Sequence, residues 1–226
     1  MTITQDSPDH RLKASIEEEL AWTPAINAAH IGVAVDGGVV SLSGDVASYP
    51  EKEAAVKATL RIRGVLAVAD EISVHTRWGL GPRDDIDIAR EAVATLNRSV
   101  VIPKGSVQAT VHDGEVTLTG EVAWHYQREA TGHAVAVLPG VVLVRNDVTL
   151  NPAVTMVPPS QARATIGAAL TRNARLNAES VQIEVVGSAV TLTGTVRSWE
   201  ERRQADQAAW SAPGVTAVDN RLSVTF

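Results

Sequence analysis

Cysteine is absent from the 226 residues. Disulfides and thiolate metal sites are therefore excluded, and the redox compartment cannot be read from the chain. Phenylalanine occurs once and tyrosine twice, against five tryptophans. No apolar run approaches the ~18 residues of a membrane span. The opening MTITQDSPDHRLKASIEEEL lacks the charged start, apolar middle and small-residue cleavage site of a secretory leader. A cytoplasmic location is expected, and a periplasmic one only for a processed form. A basic surplus is also lacking: 20 Lys and Arg face 26 Asp and Glu, for a net charge of −6. Residues 1–77 contribute −4 (7 against 11), residues 78–151 −3 (6 against 9) and residues 152–226 +1 (7 against 6). Nucleic-acid binders usually carry a basic footprint, so no nucleic-acid partner is expected.

Motifs that carry chemistry are equally scarce. The six histidines form no HxxxH pair; His125 and His133 stand eight apart and read as ordinary surface residues. There is no G-x-S-x-G, and Gly79-Leu80-Gly81-Pro82 lacks the lysine of a phosphate loop. Asp84-Asp85-x-Asp87 reads as an acidic helix start, favourable to the helix dipole, rather than a cation site. No catalytic residue, metal ligand or cofactor is expected.

What is present is one pattern, three times. Ile31 opens IGVAVDGGVVSLSG, Val107 opens VQATVHDGEVTLTG and Val181 opens VQIEVVGSAVTLTG. Thirteen residues lead from each first residue to a glycine (Gly44, Gly120, Gly194), and twenty more to a Gly-Val pair at Gly64, Gly140 and Gly214. Eight more reach an apolar strand residue at Ile72, Val148 and Leu222, and no gap is needed.

Each copy predicts the order α-β-β-α-β. Leu12, Ile16 and Leu20 fall four apart and predict a helix over Arg11–Trp22; its counterparts are Asp84–Asn97 (Ile88, Val93, Leu96) and Ser160–Arg172 (Ile166, Ala169, Leu170). Period-two alternation then predicts a hairpin, turning at Gly37-Gly38, Asp113-Gly114 and Gly187-Ser188. Capping boxes Ser48-x-x-Glu51 and Ser198-x-x-Glu201 start a second helix, where the middle copy has Trp124 and Gln127 instead. The helix ends near Arg61, Leu138 and Ser211, and final strands run over Val65–Val74, Val141–Leu150 and Val215–Phe226. The fold class is α+β: three tandem units, each a three-stranded mixed sheet with two helices on one face. The expected layout is a flexible tail at 1–10 and units at 11–76, 84–151 and 160–226. The linkers Thr76–Arg83 and Asn151–Pro159 carry proline and read as semi-rigid spacers.

This order, with Val40-Ser41-Leu42-Ser43-Gly44, Val116-Thr117-Leu118-Thr119-Gly120 and Val190-Thr191-Leu192-Thr193-Gly194, resembles the BON domain (bacterial osmotically inducible and nodulation domain). The resemblance covers about residues 11–226. It implies a binding module of envelope or stress proteins, one thought to hold phospholipids or other proteins and with no known catalytic site.

Two surfaces stand out beside that pattern. Trp124, Trp199 and, nearly in register, Tyr49 mark the start of the second helix. They can cover the helix end, or serve as anchors at a membrane interface or partner surface. Arg197, Arg202 and Arg203 flank this place only in the third copy, with Arg172 and Arg175 nearby, so that copy is the expected one to touch anionic lipid. Second, the second helices are rich in small residues: Ala54, Ala55 and Ala58; Ala130, Ala134 and Ala136; Ala205, Ala208 and Ala209. These can pack within the unit or against another chain. The expected role is non-enzymatic scaffolding, through a protein partner or self-assembly into a homo-oligomer in a stress-related setting. Binding to anionic phospholipid through the third unit is the alternative.

Overall fold

The structure, a computed structural model, describes residues 8–75, 84–151, 157–172 and 180–225. The expected tail at 1–7, the linker cores 76–83 and 152–156, Arg175 and Phe226 lie outside the described residues.

The leading helices are α1 (Pro8–Trp22), α3 (Asp85–Arg98) and α5 (Pro159–Arg172). Helix α1 begins three residues before the expected Arg11, inside the segment expected as a tail. Pro8 suits a first helical position, because its fixed φ is helical and its missing N–H needs no partner there. Ile16 and Leu20, then Ile88, Ala92 and Leu96, then Ala162, Ile166 and Leu170 are buried. The sequence pointed to Val93 as a core residue, but it is 48% exposed while Ala92 is fully covered. A four-residue spacing from Ile88 keeps Ala92 and Leu96 in one row, and Val93 sits about 100° round the helix.

Each hairpin follows its leading helix: β1 (Ile31–Asp36) with β2 (Val39–Val46), β4 (Val107–His112) with β5 (Glu115–Val122), and β8 (Val181–Val186) with β9 (Ala189–Val196). The second helices are α2 (Tyr49–Leu60), α4 (His125–Ala136) and α6 (Trp199–Trp210). The first and third repeats close with single strands, β3 (Ala67–Val74) and β10 (Ala217–Val224). In the middle repeat the expected single strand is split into β6 (Leu143–Asn146) and β7 (Thr149–Leu150), although the Asp147 N–H between them still donates to the Leu118 carbonyl at 2.9 Å. The sheets are ordered β1-β2-β3, β4-β5-β6 with β7 on β5, and β10-β9-β8. Hairpin strands pair antiparallel in β1–β2 and β8–β9, and the closing strand runs parallel to the second strand in β2–β3 and β9–β10. A helical crossover is what allows that parallel return.

Both helices cover the same sheet face. In the first repeat Ile16 and Leu20 of α1, Ala55 and Ala58 of α2, and Val40, Leu42 and Ile72 of the sheet share one core. Ile166, Leu170, Ala205, Ala209, Val190 and Leu192 repeat it in the third. The opposite face carries Ser41 and Ser43, or Thr191 and Thr193, as period-two alternation requires. Ala55, Ala58, Ala205 and Ala209 have no exposure, so these small residues serve the unit's own core rather than another chain.

The shared glycine at the end of each second strand has a steric cause. A Cβ on Gly44, Gly120 or Gly194 would lie 2.0, 2.1 or 2.0 Å from the carbonyl oxygen of His30, Ser106 or Ser180, at φ of 117°, 135° and 121°. No side chain fits there. The chain folds into two compact units. Among the described residues one unit holds the first repeat with residues 84–94, 110–117 and 134–145; the other holds the third repeat with residues 95–109, 118–133 and 146–151.

Candidate functional site

The second helix starts are built on a reciprocal cap. Ser48 accepts the Glu51 N–H at 3.4 Å, and Ser198 accepts the Glu201 N–H at 3.1 Å. Glu51 and Glu201 reach back in turn to the N–H groups of Ala47 (3.0 Å) and Arg197 (2.8 Å), one residue before the cap. In the middle repeat Gln127 Oε1 takes the N–H groups of Ala123 and Trp124, both at 3.1 Å, while its Nε2 donates to the Val101 carbonyl at 3.2 Å. The amide thus does the glutamate's work with no serine opposite it.

Tyr49, His125 and Trp199 occupy the same place in their repeats, the first residue of α2, α4 and α6. Trp124 sits one residue earlier, half-buried, with its ring 6.4 Å from that of Tyr126. By sequence His125 reads as a surface histidine, and here the structure differs. Its side chain is only 13% exposed, and its ring stacks on Trp210 of the third repeat, with centroids 4.3 Å apart and planes 13° from parallel. The Arg128 guanidinium lies 4.7 Å from the centroid of the same tryptophan. Burial first, and Arg128 second, hold the His125 pKa down to about 4. Burial also lowers that of Arg128, against the pull of Glu129 and Asp206. The neutral imidazole and the cation over the indole join two repeats of one chain, through ring stacking and cation–π attraction.

Tyr49 is used in a related way. It is half-buried, its hydroxyl donates weakly to Glu53 at 3.5 Å, and the backbone of Val144 on β6 of the middle repeat lies close enough to act on its charge. Burial, then Glu53, raise its pKa. Two of the three helix starts therefore meet the next repeat along the chain. At the third, the Arg202 guanidinium stands 5.3 Å from the Trp199 ring centroid.

Two of the three cations expected to meet lipid are engaged in the fold. Arg202 donates through Nε to the Leu222 carbonyl at 3.0 Å and through its terminal nitrogen to the Asn220 carbonyl. Lys52, its equivalent, donates to the Ile72 carbonyl at 2.7 Å and pairs with Asp70 at 3.2 Å. This position ties the second helix to the closing strand; in the middle repeat its residue, Arg128, is turned to Trp210 instead. Arg203 lies against Glu200 through both carboxylate oxygens, at 2.8 Å each. Arg197 is exposed. Gly64, Gly140 and Gly214 take φ of 100°, 95° and 79°, as a helix-ending glycine does.

The acidic start of α3 is also accounted for. The Asp85 carboxylate accepts the N–H groups of Asp113 (2.8 Å) and Gly114 (2.9 Å) in the hairpin turn, and these bonds lower its pKa. Asp87 pairs with Arg90 at 2.6 Å. Ligand atoms of Asp85, His112 and Asp113 come within 4.8 Å of one another, but His112 and Asp113 are exposed and Asp85 is committed to the turn.

Comparison with known proteins places these features among relatives. The family model of the BON domain matches residues 8–76, 84–152 and 160–225. Osmotically-inducible protein Y of Escherichia coli (strain K12) is 30% identical over 142 residues, 62% of this chain and 71% of that protein. Among solved structures, CdsD, a structural protein of the type III secretion system of Chlamydia trachomatis, aligns over 95% of this chain and 92% of its own at 15% identity and a TM-score of 0.28. Its C-terminal domain aligns over 98% and 100% at 16% identity and a TM-score of 0.27. No described helix is long and apolar enough to cross a membrane.

Proposed function

We propose that this chain, which belongs to the BON domain family in three tandem copies, is a non-catalytic scaffold that binds protein surfaces, copies of itself included. The observation that carries the reading is the use of the second helix starts. Tyr49 meets Val144, and His125 and Arg128 meet Trp210, so one repeat of this fold recognises another by the same local device. A surface built to recognise a homologous repeat within the chain is suited to recognise one in another chain. Similarity to osmotically-inducible protein Y supports a stress-related setting.

Binding to anionic phospholipid through the third unit is the second reading, and Trp199 with the cations Arg197, Arg202 and Arg203 is what favours it. It draws less support here, because Arg202 is spent on the carbonyls of Leu222 and Asn220 and Arg203 on Glu200. Light scattering and vesicle co-sedimentation separate the two. The scaffold reading expects mass to rise with concentration and no pelleting with anionic vesicles. The lipid reading expects pelleting that Trp199→Ala with Arg202→Ala removes.

A further inference from the structure

The third repeat differs from its siblings where the leading helix meets the hairpin. In the first repeat the Asp9 carboxylate accepts the Gly37 N–H at 2.9 Å; in the second Asp85 accepts those of Asp113 and Gly114. Each bridge fastens the first helical turn to the hairpin turn. The equivalent positions in the third repeat are Pro159 and Gly187, and proline carries no acceptor side chain. Among the described residues no side-chain hydrogen bond joins the start of α5 to the Gly187-Ser188 turn. Ser188 is directed instead to Thr216, at 2.7 Å. In that place lies a groove of about 600 Å³, walled by Pro159, Ser160 and Arg163 on one side and Val181–Val185 of β8 on the other.

Among the described residues the strand that walls the groove is an edge, because the sheet order is β10-β9-β8. The two-residue turn pairs Val186 with Ala189, Glu184 with Thr191 and Gln182 with Thr193. In such a hairpin these alternate pairs share the ladder bonds, so Val181, Ile183 and Val185 direct their N–H and C=O groups outward. Their side chains line the helix-facing side, where Val181 is buried and Ile183 and Val185 are partly so. Arg163 projects exposed from α5 at the groove and makes no ion pair with a described residue. Donors and acceptors recurring at every second residue match one ligand form, an extended polypeptide. Glu184 also borders the groove, but from the opposite face of β8, where it acts on Arg221; on the helix-facing side Arg163 is the charged group, and it selects for an acidic residue in the ligand.

We propose that this groove binds an extended, acidic segment of a partner protein, which adds as a strand to β8 and sets a carboxylate against Arg163. The proposal rests on the scaffold reading above and names a site for it. The probe is an end-capped synthetic octapeptide alternating valine and threonine with one central aspartate, followed by fluorescence anisotropy on the full chain. Binding to the wild type is expected to saturate. Arg163→Glu is expected to weaken it at least tenfold, and so is Pro159→Asp, which restores the siblings' bridge to the turn. Circular dichroism checks that both variants keep the fold. Amide exchange at Val181, Ile183 and Val185 is expected to slow on binding. Absence of saturable binding to the wild type, or equal binding by both folded variants, overturns the proposal. A mass that still rises with concentration in that case leaves the scaffold reading standing and removes only the groove. Peptide binding by a strictly monomeric chain keeps the groove and removes self-assembly.

Discussion

Acidification bears on one side chain at the contact between the middle and third repeats. The His125 ring is stacked on Trp210 and 13% exposed, with Arg128 over the same indole and Glu129 3.7 Å from Nδ1. Its pKa is held to about 4 against an ordinary 6.5, by burial first and Arg128 second. Between those two values the unfolded chain carries a proton that the folded chain does not. The contribution to stability is therefore complete above pH 6.5 and is lost as the pH falls toward 4. A displacement from 6.5 to about 4 corresponds to at most about 3 kcal/mol. Water still reaches part of the ring and Glu129 offers a partial counter-charge, which brings the expected effect to about 2 kcal/mol. The assay is an NMR titration of the imidazole, paired with denaturant unfolding of the wild type and His125→Phe at pH 7.5 and 4.5. Phenylalanine keeps a ring against Trp210 but cannot be protonated. The expected midpoint is near pH 4, moving toward 6.5 in Trp210→Ala, and the wild type should lose about 2 kcal/mol more than His125→Phe on acidification. A midpoint at 6 or above, or the same pH dependence in both proteins, would refute the reasoning.

Other substitutions separate the structural roles. Gly120→Ala puts a Cβ 2.1 Å from the Ser106 oxygen and should cost roughly 3 kcal/mol or more, read by thermal unfolding. Gly64→Ala, whose nearest neighbour is a Leu12 side-chain carbon at 3.6 Å, should cost only about 1–2 kcal/mol for its backbone conformation. Tyr49→Phe removes the hydroxyl that donates to Glu53 and lies by the Val144 backbone, and should lower stability by at most about 1 kcal/mol, read by denaturant unfolding. Asp85→Ala should speed exchange at Asp113 and Gly114, while leaving exchange in β9 unchanged.

Much of the fold was legible because local rules and the core agreed. The hairpin turns, the strand alternation around Val40 and Leu42, and the capping boxes at Ser48 and Ser198 are short-range signals, and repetition confirmed each of them. Apart from one matter of helix phase, errors came where a neighbour outside the local window decided the outcome. Pro8 joins α1 because Asp9 is held by Gly37, 28 residues on. Val93 lost its place in the core to Ala92 through helix phase alone. The expected surface was less legible still. Arg202 looked like a lipid-facing cation, yet the carbonyls it satisfies belong to residues 18 and 20 positions later. His125 had a signal that could have found it, since gapless alignment gives it the place of Tyr49 and Trp199. Its partner Trp210 lies in another repeat and carries no mark in the sequence.

The most direct test of the scaffold account is the mass of the purified chain, measured by light scattering across a wide range of concentration. A mass that climbs above the 23.9 kDa of a single chain as concentration rises is the expected result. A mass fixed at 23.9 kDa at every concentration would contradict it.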